Sequence, residues 1–250
     1  MILVIGGTKD AYELASHINE NMDNVILSLA TEYGYETYSQ RFRGSIVYGR
    51  KNKEEFKTFI LEKGVNTVVD ATHPYALEAS NNAEKACREL AIPYIRYERP
   101  ASDIKYSNMI LCGSFKEAGI KAEALKGNIL LTTGSKNIKE IISNIRDKKR
   151  IKARVLPMSE SILKLESLGL NADNIIAMKG PFSEEMNYLM IKEFEISIMI
   201  CKDSGVAGGL YEKVRAAYSA GVKVIMVNRP KGNKGKRIYT ISEVLDFLKK

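Results

Sequence analysis

The chain has 250 residues, enough for one large domain or two small ones, and its 45% hydrophobic and 27% charged residues are typical of a globular protein with a sizeable core. No run approaches the roughly 18 apolar residues of a membrane-spanning helix, so we expect no membrane partner. The net charge of +8 is compatible with nucleic acid or with a polyanionic small molecule, because the basic residues are interleaved with acids along the chain.

The N-terminal segment and the cysteines argue against two further classes of protein. The segment MILVIGGTKD has a short apolar run and then charges, whereas a signal peptide has a basic start and a longer apolar region, so we predict a first strand and a cytoplasmic protein. Cys87, Cys112 and Cys201 form no CxxC pair and lie in apolar surroundings, so we predict buried side chains rather than a zinc site or disulfides.

Short β-branched runs alternate with segments of helical periodicity from one end of the chain to the other. The predicted strands, in chain order, are residues 2–5, 24–29, 44–49, 66–71, 92–98, 109–112, 128–133, 150–156, 174–178, 195–200 and 222–227. Helices are predicted between most of these strands, and a last helix is predicted over 242–250 with Ser242 as its N-cap.

Strands that alternate with helices of about 10–15 residues predict βαβ units and parallel sheets. The number of strands is too large for one doubly wound sheet. We therefore predict two α/β domains, residues 1–100 and 104–250, joined near residues 100–103.

Ligands of open parallel sheets bind beyond the carboxyl ends of the strands, so the turns after each strand are the first places to search. Gly6-Gly7-Thr8 follows the first strand, where glycines and a helix N-terminus favour a phosphate. It is not GxGxxG, and a tight βα turn explains it equally well. The second strand has no clear acid at its end to bind the ribose of NAD, which slightly favours NADP or a dinucleotide bound elsewhere.

Two turns in the second half carry similar donors. Thr132–Lys136 has hydroxyls, a glycine and a lysine at a helix start, which suit a phosphate or a carboxylate. The loop from Lys202 to Gly209 contains Ser204 and adjacent glycines, and the helix after it carries Lys213. A flexible loop that needs glycine for its turns is the structural alternative for this segment.

His73 follows a buried strand in the turn Thr72-His73-Pro74-Tyr75. It suits a general acid or a hydrogen-bond donor, and equally a structural histidine fixed by Asp70 and the Pro74 turn. Arg96 suits either a ligand carboxylate or a surface salt bridge.

The ordered motifs of the chain resemble those of the precorrin-6A reductase family, the CobK/CbiJ-type reductases of cobalamin (vitamin B12) biosynthesis. The motifs are GGTKDAYELA, VVDATHPYA, IPYIRYERP, LLTTGSK, ARVLP, KGPFSEEMN, KDSGVAGGLYEKVRAA and VNRP, between Ile2 and about Pro230. The resemblance implies two Rossmann- or flavodoxin-like domains with a cleft between them. It also implies an oxidoreductase that uses NADPH or NADH to reduce a double bond of the precorrin-6A or cobalt-precorrin-6A macrocycle to precorrin-6B.

The resemblance also implies roles for particular residues. The residues expected to bind the cofactor are Gly6, Gly7, Thr8, Asp10, Gly134, Ser135 and Lys136. The residues expected to bind the anionic tetrapyrrole are His73, Tyr75, Arg96, Lys202, Ser204 and Lys213. His73 and Lys202 are the catalytic candidates. Any cobalt belongs to the substrate, so no metal site is expected in the protein.

Two rival functions fit parts of the same pattern. A tetrapyrrole-binding α/β transferase or synthase would share the two-domain layout and need no nicotinamide. A nucleic-acid-binding module is suggested by the net charge alone and predicts strong, salt-dependent DNA binding. The reductase predicts no consequential binding to nucleic acid, and the sequence leaves the oligomeric state open.

Overall fold

A computed structural model describes residues 1–98, 103–204, 208–230 and 237–249. The chain forms two compact units: unit 1 lies within residues 1–100 and 231–250, and unit 2 within residues 101–230. The described strands are β1 Ile2–Ile5, β2 Val25–Leu29, β3 Ser45–Tyr48, β4 Thr67–Asp70, β5 Tyr94–Tyr97, β6 Met109–Cys112, β7 Asn128–Leu131, β8 Ile151–Val155, β9 Ile175–Ala177, β10 Ile196–Lys202, β11 Lys223–Val227 and β12 Arg237–Ile238. The described helices are α1 Lys9–Asn21, α2 Glu32–Tyr38, α3 Lys53–Glu62, α4 Leu77–Glu89, α5 Phe115–Glu123, α6 Ile138–Ile142, α7 Ser159–Ser167, α8 Glu184–Glu193, α9 Leu210–Ser219 and α10 Ile241–Leu248.

Unit 1 is a six-stranded parallel sheet in the order β12-β5-β4-β1-β2-β3. Leu3 of β1 pairs with Ile26 of β2 on one side and with Val68 of β4 on the other. The central strands are buried on both faces, which is why their sequences are continuous apolar runs rather than alternating ones. In chain order the sheet reads 6-5-4-1-2-3, which is the Rossmann order.

Unit 2 is also a six-stranded parallel sheet, in the order β6-β11-β10-β7-β8-β9. Numbered from β7 as the first strand, this order is again 6-5-4-1-2-3. The sixth position is held by β6, which comes from the start of the unit rather than from its end. The predicted fold of two Rossmann-like α/β domains is therefore confirmed.

The C-terminal segment belongs to unit 1, whereas the sequence placed it in a second domain of residues 104–250. Ile238 of β12 pairs with Tyr97 of β5, and Val244 of α10 is buried in the core that α1 covers. Thr240, not Ser242, caps α10, because its side chain accepts from the Glu243 N–H. The apolar pattern of this segment shows that it must be buried but not against which sheet.

The described residues differ from the prediction in three smaller respects. Helix α2 was not predicted, strand β12 was not predicted, and α6 is shorter than the helix predicted over residues 136–147. The predicted domain junction lies largely outside the described residues. The three cysteines are buried and free, as predicted. Burial raises the pKa of the Cys201 thiol to about 12. In the part of the chain that the structure describes, no helix is long and apolar enough to cross a membrane.

We expect Val244→Ala to lower the free energy of unfolding by about 2 kcal/mol, because it deletes two methyl groups from a core position that is 0% exposed. Native-state hydrogen exchange should show faster exchange of the β5 and α1 amides. Leu61→Ala, at a position 66% exposed in the same unit, is the control and should change stability by less than about 0.5 kcal/mol. A loss of protection confined to the strands of unit 2 would contradict the assignment of this segment.

Candidate active site

The strand order of unit 1 reverses between β1 and β4, so the ligand crevice of this sheet is expected at the carboxyl ends of these two strands. Gly6 and Ala71 follow the two strands and are in close contact. A Cβ added at Gly6 would lie 2.6 Å from the Ala71 carbonyl oxygen and 2.6 Å from the Ala11 Cβ. At Gly7 a Cβ would meet nothing within 4 Å, so this glycine faces open space. The turn can therefore admit a ligand beside its backbone.

Thr8 fixes the start of α1. Its Oγ1 accepts a hydrogen bond from the Ala11 N–H at 3.3 Å, and Asp10 lies in the first turn of the helix. The predicted cofactor-binding residues Gly6, Gly7, Thr8 and Asp10 thus form one continuous turn at the predicted crevice. Their contacts with a cofactor remain a prediction.

Asp70 ends β4 and holds the following turn through a buried network. Its carboxylate, which is 0% exposed, accepts hydrogen bonds from the Tyr94 hydroxyl at 2.6 Å and from the Thr72 N–H at 2.9 Å. It also pairs with Arg96 Nη1 at 2.6 Å. Arg96 in turn donates to the Thr72 carbonyl at 2.8 Å and to Thr72 Oγ1 at 2.7 Å. The salt bridge of Arg96 is thus buried rather than at the surface, and its predicted contact with a substrate stays a prediction.

His73 lies next in this turn and is half-buried. Its Nδ1 accepts from the Tyr75 N–H at 3.3 Å, and the two rings lie 5.5 Å apart. Because Nδ1 accepts, the neutral ring carries its proton on Nε2. Asp70 fixes Thr72 rather than the imidazole itself. The network therefore holds the turn that presents His73.

The strand order of unit 2 reverses between β7 and β10, so the second crevice is expected there. The Thr132 N–H donates to the Ile200 carbonyl at 2.9 Å, which joins the two strand ends. Gly134 has φ +78° and open space around it, a conformation that side chains rarely adopt. The Ser135 hydroxyl lies 3.1 Å from that of Ser161. Lys136 is exposed at the end of this turn.

Two lysines lie at the same edge of unit 2. Lys202 ends β10, and burial, together with the charges of Lys213 and Lys136, lowers its pKa to about 8. Lys213 donates from Nζ to the Gly208 carbonyl at 2.7 Å, and burial lowers its pKa to about 8. A Cβ at Gly208 would overlap the side chain of Ser204, so Gly208 and this serine lie close together. The structure thus gathers the lysines of three predicted segments in one region.

Sequence reasoning missed two groups at this edge. Arg154 of β8 is buried against Asn187, with its Nη1 2.9 Å from Asn187 Oδ1. Asp203 follows Lys202, and its Oδ2 lies 3.4 Å from Arg229 Nε. Strand β8 alternates as Ile-Lys-Ala-Arg-Val, so its sequence carries no signal that Arg154 is buried while Lys152 is only partly buried. The pair of Asp203 and Arg229 depends on the parallel pairing of β10 and β11, which the sequence does not specify.

Within the described ranges, no group of three or more His, Cys, Asp or Glu side chains is arranged to hold a metal ion. The chemistry available at the two crevices consists of backbone N–H groups at glycines, hydroxyls, one imidazole and several cations. These groups bind and orient anions and can move a proton. Two Rossmann-ordered sheets with such crevices are typical of nucleotide-dependent α/β enzymes.

Comparison with known proteins shows to which family of enzymes the chain is similar. Residues 1–249 match the family of precorrin-6x reductase CbiJ/CobK. The chain is 39% identical to a cobalt-precorrin-6A reductase of Priestia megaterium, with 99% of this chain and 98% of that protein covered. It is also 39% identical to one of Methanocaldococcus jannaschii, with 99% and 97% covered. A solved structure of CobK precorrin-6A reductase has a TM-score of 0.78 and 21% identity over 99% of this chain and 96% of that one, and shares the fold.

The chain therefore belongs to the precorrin-6x reductase family of cobalamin biosynthesis. It is an oxidoreductase, and the prediction made from the motifs is confirmed. The comparisons do not assign roles to individual residues.

We expect Arg96→Met to lower the free energy of unfolding by about 3–5 kcal/mol, because it leaves the buried Asp70 carboxylate without its cation. Chemical denaturation measures the change. Arg146→Met is the matched control, since Arg146 also pairs with a carboxylate but is 91% exposed, and it should cost less than about 1 kcal/mol. Equal effects of the two substitutions would show that the Asp70 network does not hold the turn.

We expect affinity for an anionic ligand of unit 2 to fall as pH rises through about 8, because Lys202 and Lys213 are charged below that pH and lose their protons above it. Lys202→Arg should extend binding to higher pH, since arginine stays protonated. Titrations of NADPH and of the macrocycle between about pH 6.5 and 9.5 measure this. Lys121→Arg, at a lysine whose pKa is raised, is the control. An affinity for both ligands that is constant across pH 8 would contradict the prediction.

Proposed function

We propose that this chain reduces a carbon–carbon double bond of cobalt-precorrin-6A with NADPH. The observation that carries the proposal is the family match over residues 1–249, in a chain whose two units each have polar turns at the reversal of strand order. The 39%-identical relatives are named for the cobalt form of the substrate, which supports that form over the metal-free one.

The first crevice fits a dinucleotide. Gly6 lies where any side chain would collide with Ala71, and Gly7 leaves open space beside the first turn of α1. Backbone N–H groups at a helix start suit a phosphate. Gly134, Ser135 and Lys136 form a similar turn in unit 2 and are proposed as further phosphate contacts.

The end of β2 supports NADPH over NADH. In Rossmann sites for NAD, an acid near this position binds the ribose 2′-hydroxyl. Here Leu29 is followed by Ala30 and Thr31, and the Thr31 hydroxyl accepts from the Gly34 N–H to cap α2. Glu32 already belongs to that helix. The bound nicotinamide would supply a hydride to the ring.

The proposed contacts with the macrocycle come from the cations and hydrogen-bond donors that were predicted from the sequence to bind it. Lys202, Lys213 and Ser204 would bind carboxylates of the macrocycle, and His73 and Tyr75 would line its edge. Two groups are suited to give the proton that completes the reduction. The first is Lys202, which is mainly protonated at neutral pH with a pKa of about 8, and the second is the Nε2–H of His73. We place the reaction in the cytoplasm.

The test is an anaerobic assay that mixes the protein with NADPH or NADH and with cobalt-precorrin-6A or its metal-free form. We expect loss of the nicotinamide absorbance together with a shift of the macrocycle spectrum, fastest with NADPH and the cobalt form. Faster turnover with NADH, or with the metal-free ring, would reject that part of the proposal. Binding of the macrocycle without oxidation of either nucleotide would reject the reductase and favour a tetrapyrrole-binding transferase.

A further inference from the structure

Arg154 is a buried cation that no carboxylate neutralises among the described residues. It is 6% exposed, near the carboxyl end of β8. Its Nη1 donates to Asn187 Oδ1 at 2.9 Å and lies 3.2 Å from Met190 Sδ, and its guanidinium carbon lies 4.0 Å from the centre of the Phe182 ring. All three contacts are neutral. Burial lowers the pKa of the guanidinium to about 10. Buried charges in proteins are normally paired, so this one calls for an explanation.

Arg154 acts on the lysines of the second crevice. Its positive charge contributes to the low pKa of Lys213 on α9, and the charge of Lys213 contributes to the low pKa of Lys202 on β10. Lys136, from the turn after β7, acts on Lys202 in the same direction. Like charges therefore act on each other in three pairs at this sheet edge: Arg154 with Lys213, Lys213 with Lys202, and Lys136 with Lys202.

The groups near Lys213 act on its pKa in both directions. Burial is the largest cause of the low pKa of Lys213, and the charge of Arg154 lowers it further, whereas Cys201 on β10 and Glu212 on α9 act to raise it. Asp203 is engaged by Arg229, whose Nε lies 3.4 Å from its Oδ2. Arg154 itself therefore has no carboxylate partner among the described residues.

We propose that Arg154 is a specificity-determining residue of the reductase, whose charge is neutralised by an oxyanion that the ligand brings to Lys202 and Lys213. The oxyanion is a carboxylate of the macrocycle or a phosphate of the dinucleotide. Arg154 acts through the lysines, because its own side chain is enclosed by α8 and the segment before it. This inference rests on the proposed function and deepens it.

The physical basis is the cost of buried like charges. Each cation at this edge raises the free energy of the ligand-free protein, and an anion among them removes the repulsion. An anionic ligand therefore binds more tightly when Arg154 is charged than when a neutral side chain occupies the same space. A neutral analogue would gain nothing from the arginine.

The test compares Arg154→Met, which removes the charge and keeps much of the length, with Arg154→Lys, which keeps the charge. Lys152→Met is the control, because Lys152 lies on the same strand and also faces an aromatic ring, that of Phe194 at 5.6 Å. The readouts are KM for the macrocycle, KM for NADPH, kcat, and the rise of Tm that each ligand causes in the absence of the other.

We expect Arg154→Met to raise KM for one of the two ligands by about tenfold and to reduce the rise of Tm that this ligand causes, with a smaller change in kcat. A change in the macrocycle readouts identifies a carboxylate, and a change in the NADPH readouts identifies a phosphate. Arg154→Lys should restore most of the affinity. The fall of affinity above about pH 8 should move to higher pH in Arg154→Met, because one charge that lowers the pKa of Lys213 is gone.

Equal losses in the Met and Lys variants, with unchanged ligand-induced shifts of Tm, would show a purely structural role and overturn the inference. So would unchanged KM values for both ligands in Arg154→Met. Failure of the proposed function can be told apart from failure of this inference. In that case the unsubstituted protein would bind the macrocycle without oxidising the nicotinamide cofactor.

Discussion

Parallel pairing of strands is the constraint on which both candidate crevices depend. It sends the carboxyl ends of all strands in a sheet to one edge, so turns that are far apart in sequence become neighbours. In unit 1 it brings Gly6 against Ala71, although 65 positions of sequence separate them. In unit 2 it places Lys202 near Lys136 and Lys213. A single reversal of strand order then leaves a crevice at each of these edges.

The carboxyl edges of the two sheets differ in how their buried charges are paired. In unit 1 the carboxylate of Asp70 is fully satisfied by Arg96, Tyr94 and the Thr72 N–H. Such a network fixes one conformation of the turn. In unit 2 burial is the main cause of the low pKa values of Lys202 and Lys213, and neighbouring positive charges lower both further. The buried charge of the first edge is thus paired within the protein, whereas Arg154 at the second edge has only neutral contacts among the described residues.

The path of the chain also determines how the sheet of unit 1 is completed. The chain leaves unit 1 after β5, forms unit 2, and returns to add β12 and α10 to unit 1. Without the return, β5 would be an edge strand with unpaired backbone groups, and the α1 side of the core would lose Ile238 and Val244. The completeness of unit 1 therefore depends on residues that follow the whole of unit 2 in the chain.

The sequence by itself determined the class of fold, eleven of the twelve described strands and the motifs that identify the family. These are local properties: apolar runs, helical periodicity and turn residues such as Gly6 and Gly134 depend on neighbours within a few positions. Only the tertiary structure decided which sheet receives 237–249, that Arg96 is paired with Asp70, and that Arg154 lies near Lys213. Strand order and burial bring together residues that are distant in sequence. The sequence around Arg96 or Arg154 therefore does not show which side chains these arginines will contact.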